Sequence, residues 1–298
     1  MPLLSKREFL HASLLAGAEI VTSSAWSASI DATRATLSVR TLGTGAGDHT
    51  WERLGEPGVR GSSGTLIDGR VLIDCGVTGR ANLSRFGIAP NALTDLVITH
   101  SHGDHFNVGQ IDRVIADRAK SAPPLAVWAA PQLIDRLQSA LPGRFAGHAL
   151  KPGEIFETGA LRWTALPANH LIVADPAEQA LHYLVEAPSG NLLYALDGAW
   201  MLKQARSLIN KKRLDLIVWD ATMSKPGDMR IFEHNDLDMI DHMMQSLKAA
   251  GNVHAETVCV LTHVARTLWP ADLREAEKLA ADRGGWLLAA DGREFRLV

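Results

Sequence analysis

The sequence contains only two cysteines, Cys75 and Cys259, among 298 residues. Two cysteines can form at most one disulfide, and they cannot supply a zinc cluster built from several thiolates. Each of them lies in an apolar, strand-like run, which favours a small buried side chain for both. The sequence therefore excludes a disulfide-stabilised scaffold and a cysteine-based zinc module.

Long hydrophobic runs and an excess of positive charge are also missing. No segment approaches the roughly 18 apolar residues that a membrane-spanning helix needs, so we expect no transmembrane anchor in the mature protein. The formal net charge is −3, which provides no general basic surface for bulk nucleic acid. A small anionic substrate is still compatible with this charge, because bound metal ions can reverse the local field.

Residues 1–29 resemble an export signal. Lys6 and Arg7 precede a moderately apolar stretch, and small residues follow. The segment SKREFL is similar to the twin-arginine export motif, with Lys6 in place of the first arginine. Glu19 within the apolar stretch is more typical of an ordinary amphipathic helix, which would leave the protein in the cytoplasm. We expect a twin-arginine-type signal at 1–29 and a periplasmic or secreted domain at 30–298.

After residue 30, short apolar runs alternate with segments of helical spacing. The segment 64–76 predicts a hairpin that turns at Asp68-Gly69, and a second pair of strands flanks Ser189-Gly190. Helical patterns cover 107–120, 131–141 and 235–251, the last closed by Gly251. We expect two similar halves that pack as one α/β (α+β) domain, a four-layer αββα sandwich.

The segment THSHGDH, residues 99–105, places three histidines and one aspartate within seven positions. His100 and His102 are two residues apart in an extended segment, so their side chains should point the same way. Gly103 would permit a tight turn that brings Asp104 and His105 towards a second ion. The alternative is a polar loop that is merely rich in histidine.

Further residues of metal-binding type fall where apolar runs end. His170 follows LPAN, Asp197 follows LLYAL, and His263 follows VCVLT. Loops at strand ends bring reactive side chains to one edge of a rigid sheet. Neutral imidazole and carboxylate suit zinc, manganese and iron, and an aspartate can bridge two such ions. The combined pattern predicts a dimetal centre.

The order His-x-His-x-Asp-His, His, Asp, His resembles the metallo-β-lactamase fold hydrolases over nearly all of the chain after the leader. The segments WTALPANH, LLYALDGAW, LIVWDATM, EHNDLDMIDHM and VLTHVARTL are similar to successive motifs of the ribonuclease Z and phosphoribosyl cyclic phosphate phosphodiesterase branch. That branch has a separate structural zinc site on cysteines near its N-terminus, and this sequence lacks those cysteines.

The resemblance implies two divalent metal ions, Zn²⁺ or alternatively Mn²⁺ or Fe²⁺. One ion would be bound by His100, His102 and His170, and the other by Asp104, His105 and His263, with Asp197 between them. The resemblance further implies that a metal-bridging hydroxide hydrolyses a small or cyclic phosphodiester. Asp104 would orient the nucleophile, and His234 would stabilise the charge on the phosphate or protonate the leaving oxygen.

Two further aspartates have alternative interpretations. Asp74 matches an acid that accepts a hydrogen bond from a ligand histidine in this family, and a turn-forming aspartate is the competing interpretation. Asp220 could line the pocket near the second ion or cap the loop that follows its strand. Both aspartates follow or end an apolar run.

Several other residues are expected to be structural. His49, Trp51 and Arg53 lie in a loop where substrate groups approach in the family, but a solvated loop is the favoured interpretation. We expect surface positions or satisfied core positions for the histidines without motif context: His11, His148, His182, His242 and His254. We expect core positions for the tryptophans in apolar runs: Trp128, Trp163, Trp219 and Trp286.

Three functions compete on this sequence. A dimetal phosphodiesterase is the leading hypothesis, and a lactonase or β-lactamase-type hydrolase on the same fold is the alternative. The segment around His234 is what favours phosphodiester chemistry over lactone chemistry. A non-catalytic binder would not need the complete ligand set. The oligomeric state is left open, with a homodimer as one candidate.

Overall fold

The computed structural model describes residues 36–297. The predicted export signal at 1–29 lies outside these residues and stays a prediction. Within the described part of the chain, no helix is long and apolar enough to cross a membrane. Cys75 and Cys259 are both buried free thiols, as the sequence indicated.

One seven-stranded sheet is formed mainly by the first half of the chain. Its strands are β1 (Leu37–Gly43), β2 (Gly64–Ile67), β3 (Val71–Ile73), β4 (Asp95–Val97), β5 (Leu125–Ala129), β6 (Phe145–Ala149) and β14 (Glu294–Leu297). Their order across the sheet is β14-β1-β2-β3-β4-β5-β6. Strands β3 to β6 run parallel to one another, so their carboxyl ends lie at the same edge.

The second half of the chain forms another seven-stranded sheet. Its strands are β7 (Ile155–Thr158), β8 (Leu161–Pro167), β9 (Leu181–Ala187), β10 (Gly190–Ala195), β11 (Leu214–Asp220), β12 (Val253–Thr262) and β13 (Leu287–Leu288). The order is β13-β12-β11-β10-β9-β8-β7. Strands β10 to β13 are parallel, and β8 runs in the same direction because β9 is antiparallel to both β8 and β10.

Six α-helices cover the outer faces of the sheets in the described residues. They are α1 (Gly79–Arg85), α2 (Val108–Ala116), α3 (Pro131–Ala140), α4 (Lys203–Leu208), α5 (Leu237–Ala249) and α6 (Leu273–Asp282). Helix α5 begins with a cap in which Asp236 accepts from the backbone N–H of Met239, and Gly251 adopts a positive φ just after its end. Short 3₁₀ turns occupy Trp51–Arg53, Pro90–Ala92 and Met229–Phe232.

Three apolar clusters separate the layers. The cluster between the two sheets contains Trp163, Tyr183 and Tyr194, all fully buried. A second cluster joins β8–β13 to helices α4–α6, and a third joins the first sheet to α1–α3. The predicted four-layer αββα sandwich is therefore confirmed, since each sheet buries one face against the other sheet and one against helices.

The two predicted hairpins are present, one of them with a shifted turn. Asp68 and Gly69 both have positive φ in the three-residue loop between Ile67 and Val71, where the backbone N–H of Arg70 donates to the carbonyl of Ile67. In the second hairpin Gly190 pairs with Ala187, so the turn residues are Pro188 and Ser189 rather than Ser189 and Gly190. Gly190 keeps its special role because its φ is +143°.

Candidate metal centre

Seven residues predicted as metal ligands meet at one edge of the sandwich. They follow the carboxyl ends of β4, β8, β10 and β12, and they form two adjoining groups: His100, His102, His170 with Asp197, and Asp104, His105 with His263. Asp197 and His263 adopt positive φ values of 50° and 57°. Non-glycine residues in this region are strained, and such strain is typically retained at functional sites.

Asp197 lies between the two groups and presents one oxygen to each. Its Oδ2 lies 3.7 Å from His100 Nε2 and 3.9 Å from His170 Nε2. Its Oδ1 lies 3.1 Å from His105 Nε2 and 3.3 Å from His263 Nε2. A carboxylate in this position can contact two ions at once.

The remaining contacts have the spacing expected of ligands around an ion. His170 Nε2 is 2.9 Å from His102 Nδ1, and His263 Nε2 is 3.3 Å from Asp104 Oδ2. Two donors in a tetrahedron of about 2.0–2.1 Å bonds lie about 3.3 Å apart. His100 Nε2 and Asp197 Oδ1 are buried and make no hydrogen bond within the described chain. Buried ligand atoms without a hydrogen-bond partner are suited to bind divalent cations.

Hydrogen bonds fix most of the histidines with Nε2 facing the cluster. His105 Nδ1 donates to Asp74 Oδ2 at 2.8 Å, and His170 Nδ1 donates to the Glu233 carbonyl at 3.1 Å. Nδ1 of His100 lies 3.0 Å from Thr99 Oγ1, and Nδ1 of His263 lies 2.8 Å from Thr222 Oγ1. Each threonine hydroxyl can accept from the imidazole and donate to a buried aspartate, Thr99 to Asp74 and Thr222 to Asp220. Such outer contacts set the tautomer that a metal requires.

The two halves of the cluster differ in protonation when no metal is present. Burial, together with neighbouring imidazoles, lowers the pKa of His100 and lowers that of His170 to about 4. Burial also opposes charge on His105 and His263, but the adjacent carboxylates outweigh it. They raise the pKa of His105 well above its usual range and that of His263 to about 10.

Asp74 is a hydrogen-bond acceptor behind the cluster, as one interpretation of the sequence had it. Its carboxylate is buried and accepts from His105, from the backbone N–H of Thr99 and from the Thr99 hydroxyl. Burial raises the pKa of Asp74 in spite of the neighbouring His105. Its φ of 63° shows that the chain also turns sharply here.

His234 lies beside both groups and is held from behind by Asp220. His234 Nδ1 donates to Asp220 Oδ2 at 2.7 Å, and its ring centroid is 5.1 Å from that of His170 and 5.2 Å from that of His263. Burial alone would lower the pKa of His234, but the Asp220 carboxylate raises it. Asp220 is fully buried and also accepts a hydrogen bond from the backbone N–H of Thr222. It therefore stabilises the loop that follows its strand and orients His234, but it does not line the cleft above the cluster.

A cleft of about 230 Å³ opens above the cluster. Besides cluster residues it is lined by Gly47 and Asp48, from the loop after β1, and by Arg230. Arg230 is clamped by two bonds to Asp228, at 2.8 Å and 3.1 Å, and lies 3.7 Å from Asp48. The cleft therefore combines the cluster with one positioned guanidinium.

A solvated loop was the favoured interpretation for His49, Trp51 and Arg53, and this prediction is wrong for His49. His49 is buried and donates from Nε2 to the carbonyl of Val264, next to His263, because its ring fills the space between these two loops. Arg53 is exposed and Trp51 is half-buried. None of the three lines the cleft above the cluster.

Two other predictions need correction. Gly103 does not have a positive φ, and nothing lies near the position of a side chain there, so the turn does not depend on a glycine. The close approach is at Gly76, where a Cβ would lie 1.9 Å from the carbonyl oxygen of Asp104. Trp128 is only half-buried, stacked 4.0 Å from the exposed ring of His148, whereas Trp163, Trp219 and Trp286 are buried as predicted.

Sequence reasoning missed several residues that support the site. Glu178 is buried and accepts from the backbone N–H of Ser101, between His100 and His102. His182 is a buried histidine, as predicted, but it also contacts the backbone carbonyl of Asp197 at 3.3 Å. No local motif marks Glu178, whereas Thr99 and Thr222 could have been suspected from their places at strand ends.

A four-layer αββα sandwich with a His/Asp cluster at joined strand ends is the architecture of the metallo-β-lactamase fold hydrolases, which are metal-dependent enzymes. The family model described as "Beta-lactamase superfamily domain" matches residues 69–264, and the chain belongs to this family. The cluster could bind divalent metal ions.

Individual relatives agree with this assignment. The chain is 30% identical over 112 residues to ribonuclease Z of Picosynechococcus sp., and it spans about a third of that relative, 35% of each protein. The YhfI protein of Bacillus subtilis, a metallo-β-lactamase fold protein, has a TM-score of 0.68 at 16% identity and covers 88% of this chain and 100% of its own. A diphosphatase from the PhnP family has a TM-score of 0.67 at 19% identity, covering 88% and 97%. At such identities these two likenesses concern the fold.

Proposed function

We propose that the protein is a dimetal phosphodiesterase that hydrolyses a small or cyclic phosphodiester. The observation that supports this most is the position of His234, which Asp220 holds beside both halves of the cluster. The named activities of the ribonuclease Z and diphosphatase relatives are compatible with such a substrate. Asp197 would bridge the two ions, His100, His102 and His170 would bind one, and Asp104, His105 and His263 the other.

Two bound divalent cations would supply charge neutralisation for the phosphate and would lower the pKa of a water molecule. Asp104 stands at the edge of the cluster with Oδ2 near His105 and His263, where it can orient that water. His234 can donate a proton from Nε2 towards the leaving oxygen, since Nδ1 is engaged by Asp220. Arg230 can pair with a phosphate oxygen through its guanidinium.

The test is a comparison of substrates on protein loaded with Zn²⁺ or Mn²⁺. Turnover would be measured with bis(p-nitrophenyl) phosphate, a γ-lactone and a cephalosporin. We expect the phosphodiester to be hydrolysed with the highest kcat/KM. Faster hydrolysis of the lactone or the cephalosporin would overturn the proposal in favour of the alternative chemistry on the same fold.

A further inference from the structure

Large exposed apolar side chains are concentrated on the loops that also carry site residues. Seven such residues occur between residues 36 and 297, and five of them lie on three loops next to site residues. These five residues, here called the apolar rim, are Leu171, Val173, Trp200, Met229 and Phe232. Met229 and Phe232 are 82% and 80% exposed, so they contribute little to the core.

Two of the three rim loops follow a residue of the cluster, and the third precedes His234. Leu171 and Val173 follow His170, and Trp200 comes three residues after Asp197. Met229 and Phe232 precede His234 and belong to the 3₁₀ turn Met229–Phe232. The apolar groups are therefore attached to the segments that position the site.

Hydrogen bonds tie these three loops to one another. The backbone N–H of Ala199 donates to the carbonyl of Asn169 at 3.1 Å, and Asn235 Nδ2 donates to the carbonyl of Gly198 at 2.7 Å. His170 Nδ1 donates to the carbonyl of Glu233. The three loops are thus joined by hydrogen bonds into one unit that carries all five residues of the apolar rim.

Charge and apolar surface alternate along the third loop. Arg230 lies between Met229 and Phe232 in the sequence, and its side chain lines the cleft while the two apolar side chains are exposed. A ligand that places an anionic group against the cluster and Arg230 would therefore lie beside a turn that also carries two exposed apolar side chains. Clustered exposed apolar groups of this kind typically mark a binding surface.

We propose that the apolar rim binds a hydrocarbon substituent of the substrate, so that the substrate is a phosphodiester with an apolar ester group. This proposal rests on the proposed phosphodiesterase function and adds a substrate class to it. The phosphate would occupy the cleft beside Arg230, and the substituent would lie over Phe232, Met229 and Trp200. Burial of each methylene on such a surface favours binding by up to about fourfold.

The test uses methyl p-nitrophenyl phosphate and hexyl p-nitrophenyl phosphate with the zinc-loaded full chain. The leaving group is the same in both esters, so the ratio of kcat/KM reports contacts with the substituent alone. We expect a hexyl-to-methyl ratio of at least about tenfold for the wild type. In Phe232→Ser we expect that ratio to fall to about threefold or less. The matched control is Ile155→Ser, because Ile155 is also exposed but lies on β7 away from the three loops.

The outcomes separate the two proposals. No turnover of either ester would contradict the phosphodiesterase function itself. Turnover with an equal kcat/KM for both esters would overturn only the role of the apolar rim. A wild-type dimer that Phe232→Ser dissociates in size-exclusion chromatography, or sedimentation with phosphatidylcholine vesicles that the same variant abolishes, would assign the rim to another occupant and would also overturn it.

Discussion

His234 donates from Nδ1 to the fully buried carboxylate of Asp220 over 2.7 Å, and this pair places an imidazole beside the cluster without making it one of the seven predicted ligands. The carboxylate favours the protonated ring and raises the pKa of His234. A positioned imidazole whose protonated form is favoured in this way is suited to donate a proton or to stabilise charge on a phosphate.

We therefore predict that His234→Ala lowers the turnover of bis(p-nitrophenyl) phosphate by about 10²–10⁴-fold, the usual contribution of general acid–base catalysis. Metal content, measured by mass spectrometry of the purified protein, should stay at the wild-type value. His254→Ala is the matched control, because His254 lies at the start of β12 and not in the cleft. A fall in metal content of His234→Ala would show that His234 is a ligand.

The contact between Asp74 and His105 gives a second prediction. Asp74→Asn keeps the side-chain volume, and asparagine tolerates the positive φ at this position. The amide cannot supply the second carboxylate oxygen that accepts from His105 Nδ1. We expect metal affinity to fall about 10–100-fold, as measured by competition with a chelator. An unchanged affinity would mean that Asp74 only shapes its turn.

The pKa shifts predict that the two ions bind with different proton release. His100 and His170 have lowered pKa values and are neutral at pH 7, so an ion bound there should displace almost no proton. His105 and His263 have raised pKa values that favour the protonated form at pH 7 in the metal-free protein, so the other ion must displace protons from that half of the cluster. The affinity of the site formed by Asp104, His105 and His263 for its ion should therefore increase as the pH rises.

Calorimetric titration of the metal-free protein in buffers of different ionisation enthalpy measures this release directly. One binding step should depend on the buffer, and the other should not. The dependence should decline above pH 10, since His263, with a pKa of about 10, then loses its proton before metal binds. Two steps with equal proton release would contradict the assignment of protonation states.

The close approach of Gly76 to Asp104 predicts a difference between two glycines. A Cβ at residue 76 would lie 1.9 Å from the Asp104 carbonyl oxygen, whereas nothing lies within 4 Å of a Cβ at Gly103. Gly76→Ala should lower the free energy of unfolding by about 1–3 kcal/mol or more, because the backbone must shift. Gly103→Ala should change it by less than about 0.5 kcal/mol. Thermal unfolding of both variants provides the measurement, and equal stabilities would refute this packing.

Features that depend on local sequence patterns could be predicted, whereas features that depend on contacts between distant parts of the chain could not. The seven cluster residues could be predicted because four of them follow apolar runs and the other three lie in the same short motif as His100. Strand direction then brings the ends of these runs together. Glu178 could not be predicted, since its contact with Ser101 joins residues 77 positions apart without any motif. Gly76 was missed for the same reason, as its need for a small side chain arises only when the motif loop folds over it.

The loop after β1 shows a related limit. Its place near the site was suggested by resemblance, but which of its residues face the cleft depends on packing against the segment after β12. His49 turns inward to bind Val264, and Gly47 and Asp48 line the cleft instead. Side-chain direction in an irregular loop has no periodicity from which a sequence could predict it.

The most direct test of the dimetal centre is the metal content of the wild type beside that of Asp197→Ala. Because the two oxygens of Asp197 face different halves of the cluster, its removal should weaken both sites at once. Elemental analysis of metal-replete, dialysed protein should give about two ions per chain for the wild type and fewer than one for Asp197→Ala. A wild-type protein that hydrolyses phosphodiesters at full rate without bound metal would contradict the account.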